Sequence, residues 1–211
     1  MESYAPHWWS RALVVAGALV AWFSTQALIA ARKAPVRPRD AVHDLTARLN
    51  AWLNRNPRAA NRLLAATSAL IDAAGLWIIL ESIFGPGIRP FLGLLVLFLM
   101  RQACQWAVAL PEPPGMIWRR PGFPCLFVTY GTNNDLFFSG HTAIAVYAAL
   151  EMARVGGPAW AVVGAVFALT EAATVLILRA HYTMDVFAAA CAAWVSFSLA
   201  GVLAPLVDSL L

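Results

Sequence analysis

Two short polar stretches sit at the mouths of long apolar runs: "SGHT" at residues 139–142 and "RAHYTMD" at 179–185. Between them they supply two histidines, an aspartate, an arginine and a serine–glycine pair, a set suited to chemistry at phosphorus. His181 and Asp185 stand four apart, one turn on a single helical face, so the carboxylate can accept a hydrogen bond from one ring nitrogen and leave the other as a nucleophile. A neutral imidazole held that way attacks phosphorus to give a phosphohistidine. His141 then serves as general acid to the leaving oxygen and as general base to the incoming one.

Such chemistry needs a phosphate cradle. Ser139 and Gly140, opening a helix, expose backbone N–H groups at the positive end of a helix dipole. Arg179 adds a fork of charged donors two residues before His181, and Arg101 is a charge inside an apolar run, where charges are costly. Either short motif arises by chance in roughly one chain of this length in a thousand, so their ordered pairing carries weight.

The elements that position these groups must be membrane helices. Hydrophobic residues make up 61% of the 211 and charged ones 12%, and mean hydropathy is +0.67, far from an ordinary soluble domain. Six apolar runs are long enough, or nearly so, to span a bilayer: Arg11 to Ala31, Leu63 to Phe84, Ile88 to Leu110, His141 to Arg154, Pro158 to Leu178 and Tyr182 to Leu206. The expected fold is all-α, a single membrane-embedded domain over 1–211 with six transmembrane helices. The first run is too long for a secretory h-region and is read as a span.

Two loops carry the remaining character. Within 32–62, Asp40 caps a helix whose Val42, Leu45, Leu49, Trp52 and Leu53 share a face until Pro57 ends it, which predicts an interfacial amphipathic helix. His43 in that helix and His7 in the tail read as surface or interface residues. The loop 111–138, rich in proline, glycine and aromatics, reads as a semi-rigid lid or substrate loop. Segments 85–87 and 155–157 read as tight turns. Antiparallel spans put both long loops, His141 and His181 on one face and the termini and tight turns on the other.

At this point the residues resemble a known family. "SGHT" and "HYTMD" are similar to the second and third catalytic motifs of the type 2 phosphatidic acid phosphatase superfamily, in the branch containing sphingomyelin synthases and plant phosphatidylcholine:diacylglycerol cholinephosphotransferase. The resemblance implies six helices, a metal-independent His-His-Asp site with no cofactor, and a phosphohistidine intermediate. It implies headgroup transfer from a phospholipid donor to a lipid alcohol, with His181 as nucleophile, Asp185 orienting it and His141 as acid/base. Leu110-Pro111-Glu112-Pro113 resembles the "LPxP" segment of the transferase branch. The arginine that the phosphatases carry six residues before the nucleophile is here Val175, which weakens hydrolysis. A lipid phosphatase and a non-catalytic lipid-binding scaffold are the alternatives.

Other polar and aromatic residues stay open between two roles. Glu171 either hydrogen-bonds inside the bundle or touches an amine headgroup. Trp118, Phe123, Phe127, Tyr130, Phe137 and Phe138 form either an interfacial belt or a cage for a quaternary ammonium. Cys104, Cys125 and Cys191 show no metal-ligand spacing. A net charge of +4 gives no case for nucleic acid. Of fifteen Lys and Arg only Arg11, Arg89 and Arg154 lie away from the site face, so the positive-inside rule turns that face toward the cytoplasm.

Overall fold

The computed structural model describes residues 8–31, 38–122, 124–130 and 136–210; His7 and Phe123 lie outside them. The elements are helical: α1 (Trp8–Ala30), α2 (Ala41–Leu45), α3 (Ala47–Arg55), α4 (Pro57–Phe84), α5 (Arg89–Ala107), α6 (Gly140–Ile177) and α7 (Thr183–Asp208). Five of them, α1 and α4 to α7, are long and apolar enough to cross a membrane. Large apolar side chains such as Leu13, Phe84, Leu169, Phe187 and Trp194 face outward, a surface that water would penalise and lipid does not.

The expected count of six differs because the fourth and fifth runs fall within one element, α6. Its backbone leaves the helical region at Gly157 (φ 70°, ψ −156°), immediately before Pro158. A positive φ suits glycine, and proline cannot donate to the preceding turn. The two arms fold back on each other: a Cβ on Gly164 would lie 2.7 Å from the Cα of Ala149. Gly164→Val therefore forces the arms apart. We expect it to cost about 1–3 kcal/mol or more, read as a lower thermal midpoint in detergent.

Small residues let the other helices approach as closely. The buried face of α7 is Ala189, Ala192, Ala193, Ser196, Ala200 and Ala204, and it packs on α5 and α6 by the small-residue logic of helix contacts in lipid. The far end of the bundle is closed by polar bonds. Asp208 takes the Ile88 N–H at 3.0 Å and pairs with Arg11 at 3.8 Å, while buried Glu151 takes Arg154 Nε at 2.6 Å and lies 3.5 Å from Arg89. Glu171 accepts the Thr67 hydroxyl inside the bundle.

The single amphipathic helix expected after Asp40 is broken into α2 and α3. Asp40 does cap, accepting the Val42 and His43 N–H groups at 2.9 and 3.3 Å. The break comes at Thr46, whose hydroxyl bonds back to the Val42 carbonyl at 2.8 Å, the local competition that bends helices at such residues. Leu45 (84% exposed) and Trp52 (51%) point away from the protein. His43, expected at the surface, is instead only 4% exposed, because its ring turns inward to the segment before α7.

Candidate active site

His141 and His181 line one narrow cavity of about 30 Å³ together with Arg101, Gly140, Trp118 and Phe127. Topology explains the meeting: His141 is the second residue of α6, and His181 lies just ahead of α7, in the turn that joins them. Trp118 stands edge-on to the His141 ring at 5.1 Å between centroids. The His141 Nε2 is buried with no hydrogen-bond partner among the described residues.

His181 is held differently from the i, i+4 expectation. The helix begins at Thr183 with Tyr182 as its cap, so His181 precedes it and does not share its face with Asp185. The Asp185 carboxylate accepts the Tyr182 N–H at 2.8 Å as part of the helix cap, and it stands 3.7 Å from His181 Nδ1. The hydrogen bond of Nδ1 goes to the Leu136 carbonyl at 2.8 Å. A carbonyl only accepts, so Nδ1 carries the proton and Nε2 is left with its lone pair. Asp185 adds a negative charge beside a ring already oriented by the backbone.

The four binding candidates divide. Arg101, buried inside α5, donates Nε to the Phe138 carbonyl at 2.9 Å and Nη1 to Gln26 Oε1 at 3.1 Å. A Cβ on Gly140 would lie 3.3 Å from Arg101 Nε, so glycine lets the guanidinium reach the helix start. Ser139 is spent on local structure: its N–H goes to the Asp185 carbonyl at 3.2 Å and its Oγ accepts the Thr142 N–H at 3.3 Å. Arg179 does not line the cavity. Its guanidinium bonds the Pro114 carbonyl and, at 2.9 Å, the His43 carbonyl, making it a brace between the lid loop, α2 and the turn.

Sequence reasoning missed the groups that hold His181 from behind. His43 Nε2 donates to the His181 carbonyl at 2.9 Å, and its ring stacks on Tyr182 at 5.6 Å. Asp40 receives the Thr183 N–H and, at 2.8 Å, its hydroxyl. Asn50 donates to the Ile177 and Gly115 carbonyls at 2.9 and 3.1 Å. Thus α2 and α3 clasp the backbone on both sides of the histidine. The only sequence signal was two buried-type polar residues, His43 and Asn50, seven apart on an otherwise amphipathic pattern.

Burial works to raise the Asp40 pKa, but the bonds from Thr183 and His43 outweigh it and hold the carboxyl below its ordinary 3.8. A depressed carboxyl contributes stability above its unfolded pKa and loses it as pH falls through the folded value. We expect the thermal midpoint to fall as pH drops from about 5 to about 3, and Asp40→Asn to remove part of that slope.

In the loop before α6, Leu126 and Phe127 are pinned to α4. Asp72 on α4 accepts the Leu126 and Phe127 N–H groups, each at 2.8 Å, and the Phe127 ring sits where a Cβ on Gly75 would fall, 2.8 Å away. Of the aromatics left between belt and cage, Trp118 and Phe127 line the cavity and Phe138 is buried. Tyr130, bonded to Ser68 at 2.6 Å, has its pKa pushed up to about 12, chiefly by burial, so it stays neutral.

Residues 39–202 match the model of the AtPDCT1/2 family. A curated relative, phosphatidylcholine:diacylglycerol cholinephosphotransferase 1 of Arabidopsis thaliana, is 27% identical over 164 residues, covering 78% of this chain and 53% of the relative. The match thus spans about half the length of that relative. No solved structure matches. The matched segment opens just before Asp40 and His43 and runs past Asp185, so it takes in the clasp and both histidines together: the chain belongs to the AtPDCT1/2 family.

Proposed function

We propose that the chain is a six-pass lipid phosphotransferase of the type 2 phosphatidic acid phosphatase kind, moving a phosphocholine-type headgroup from a phospholipid to a lipid alcohol such as diacylglycerol. The observation that carries this reading is the pair of imidazoles on one cavity wall, beside Arg101 and the start of α6. The two arms of α6, bent at Gly157, supply the fourth and fifth passes.

In the reaction, His181 Nε2 attacks phosphorus while the bond from phosphorus to the glycerol oxygen breaks. The leaving diacylglycerol oxygen takes a proton from the His141 imidazolium, and the headgroup phosphate remains on His181. His141, now neutral, withdraws the proton of the acceptor hydroxyl, whose oxygen forms the new bond to phosphorus as the N–P bond breaks. Arg101 and the Gly140 and His141 amides hold the phosphoryl oxygens. The Leu136 carbonyl keeps Nδ1 protonated and Asp185 favours the cationic ring between the two steps. No metal ion takes part in this scheme. The positive charge on the site face orients it to the cytoplasm.

The test uses purified protein in mixed micelles with headgroup-labelled phosphatidylcholine, a distinguishable diacylglycerol and a chelator, beside His181→Ala. Label on the new diacylglycerol, lost in the variant, is the expected result. Release of water-soluble phosphocholine or phosphate would instead make the protein a hydrolase, and no product from a panel of phospholipids would make it a scaffold.

A further inference from the structure

A second cavity, of about 610 Å³, lies between α1 and the lid loop and shares Val128 and Thr129 with the histidine site as a common wall. Gln26 of α1 lines it. This side chain is 3% exposed. Its Oε1 is fixed by the bond from Arg101 Nη1 at 3.1 Å, which determines the direction of the amide, and its Nε2 is buried with no hydrogen-bond partner among the described residues. A buried donor left open in this way calls for an acceptor beyond the described residues, and a ligand in the cavity can supply it.

We infer that this cavity is the acceptor subsite, where the glycerol backbone of a neutral, ester-bearing lipid alcohol sits with an oxygen on Gln26 Nε2. The inference rests on the transfer reading above and assigns its second substrate a place. Size suits it, since binding cavities for molecules of this bulk run from about 300 to about 1,000 Å³. Chemistry suits it as well. An amide N–H donates to an ester or alcohol oxygen, the Tyr130 oxygen, whose own proton goes to Ser68, accepts an alcohol hydroxyl, and Arg120, exposed, is the charged residue on the wall. The small side chains of Ala27 and Ala30 leave room on α1 for the lipid to come in. Because Gln26 touches Arg101, an alcohol held there lies next to the guanidinium that faces the phosphate cavity.

Two variants test this. Ala27→Trp fills the cavity without touching Arg101, and Gln26→Leu removes the donor. For Ala27→Trp we expect the KM for diacylglycerol to rise about tenfold while the KM for phosphatidylcholine stays within about twofold, with label from phosphatidylcholine alone still reaching the protein at the wild-type rate. That unchanged half-reaction shows the variant is folded. Gln26→Leu should raise the same KM. In parallel, a photoactivatable diacylglycerol should crosslink to peptides containing Phe23–Ala30 or Cys125–Tyr130 in the wild type and not in Ala27→Trp. Equal rises in both KM values, a lost half-reaction in Ala27→Trp, or no crosslink at these segments would overturn the assignment. A wild type that crosslinks there yet transfers nothing would sink the transfer reading and leave the lipid subsite standing.

Discussion

His181→Asn should abolish headgroup transfer, lowering kcat by about 10³-fold or more, with no loss of folded protein. Asparagine places its amide N–H near the position of Nδ1, so the bond to the Leu136 carbonyl, 2.8 Å in the wild type, survives while the nucleophilic nitrogen is deleted. Label from the donor should no longer become protein-bound. His141→Gln should differ in kind: the nucleophile remains, the leaving oxygen lacks its proton, and the rate falls by roughly 10²- to 10⁴-fold. Rapid-quench labelling of the two variants separates nucleophile from acid. Equal labelling of His181→Asn and wild type would disprove the assignment of the nucleophile.

The second large effect is expected at a residue that never meets the phosphate. His43→Ala removes the donor to the His181 carbonyl and the ring stacked on Tyr182, and frees the turn between α6 and α7 on one side. A shift of about 1 Å in a reacting group costs about 10²-fold, so we expect kcat to fall by about one to two orders of magnitude with both KM values little changed. His43→Gln carries an N–H at the place of Nε2 and should recover most of the loss. A packing role alone predicts the opposite order, with His43→Phe rescuing and His43→Gln failing.

What the sequence disclosed and what it hid follow from how each group acts. His141 and His181 were legible because side chains flanked by apolar runs have few reasons to be polar, and their alternation along the chain placed them on one face. Asp185 reads as a partner of His181 by counting along a helix that in fact starts at Thr183; a tyrosine cap immediately before that start gives no pattern to count. The Leu136 carbonyl is backbone, and every residue has one. His43 bonds a carbonyl 138 positions away, a distance no local periodicity reports. Arg179 looked like a phosphate ligand by charge and spacing, yet its positive φ of 54° belongs to a turn whose guanidinium serves neighbouring carbonyls. The six apolar runs were read, but whether Gly157 and Pro158 make a loop or a bend inside one element depends on how tightly Gly164 meets Ala149.

His181 is gripped from the front by a carbonyl 45 residues earlier and from behind by an imidazole 138 residues earlier. A ribosome makes the two grips first and the gripped residue last. Until the final apolar segment is threaded into the bilayer, α2 has no turn to hold and Leu136 has no ring to orient. A chain stalled before the last apolar segment therefore carries one of the two site histidines, His141, and none of the geometry around His181. The proposed chemistry would therefore begin only when insertion is complete, because the contacts that aim His181 are the last to form.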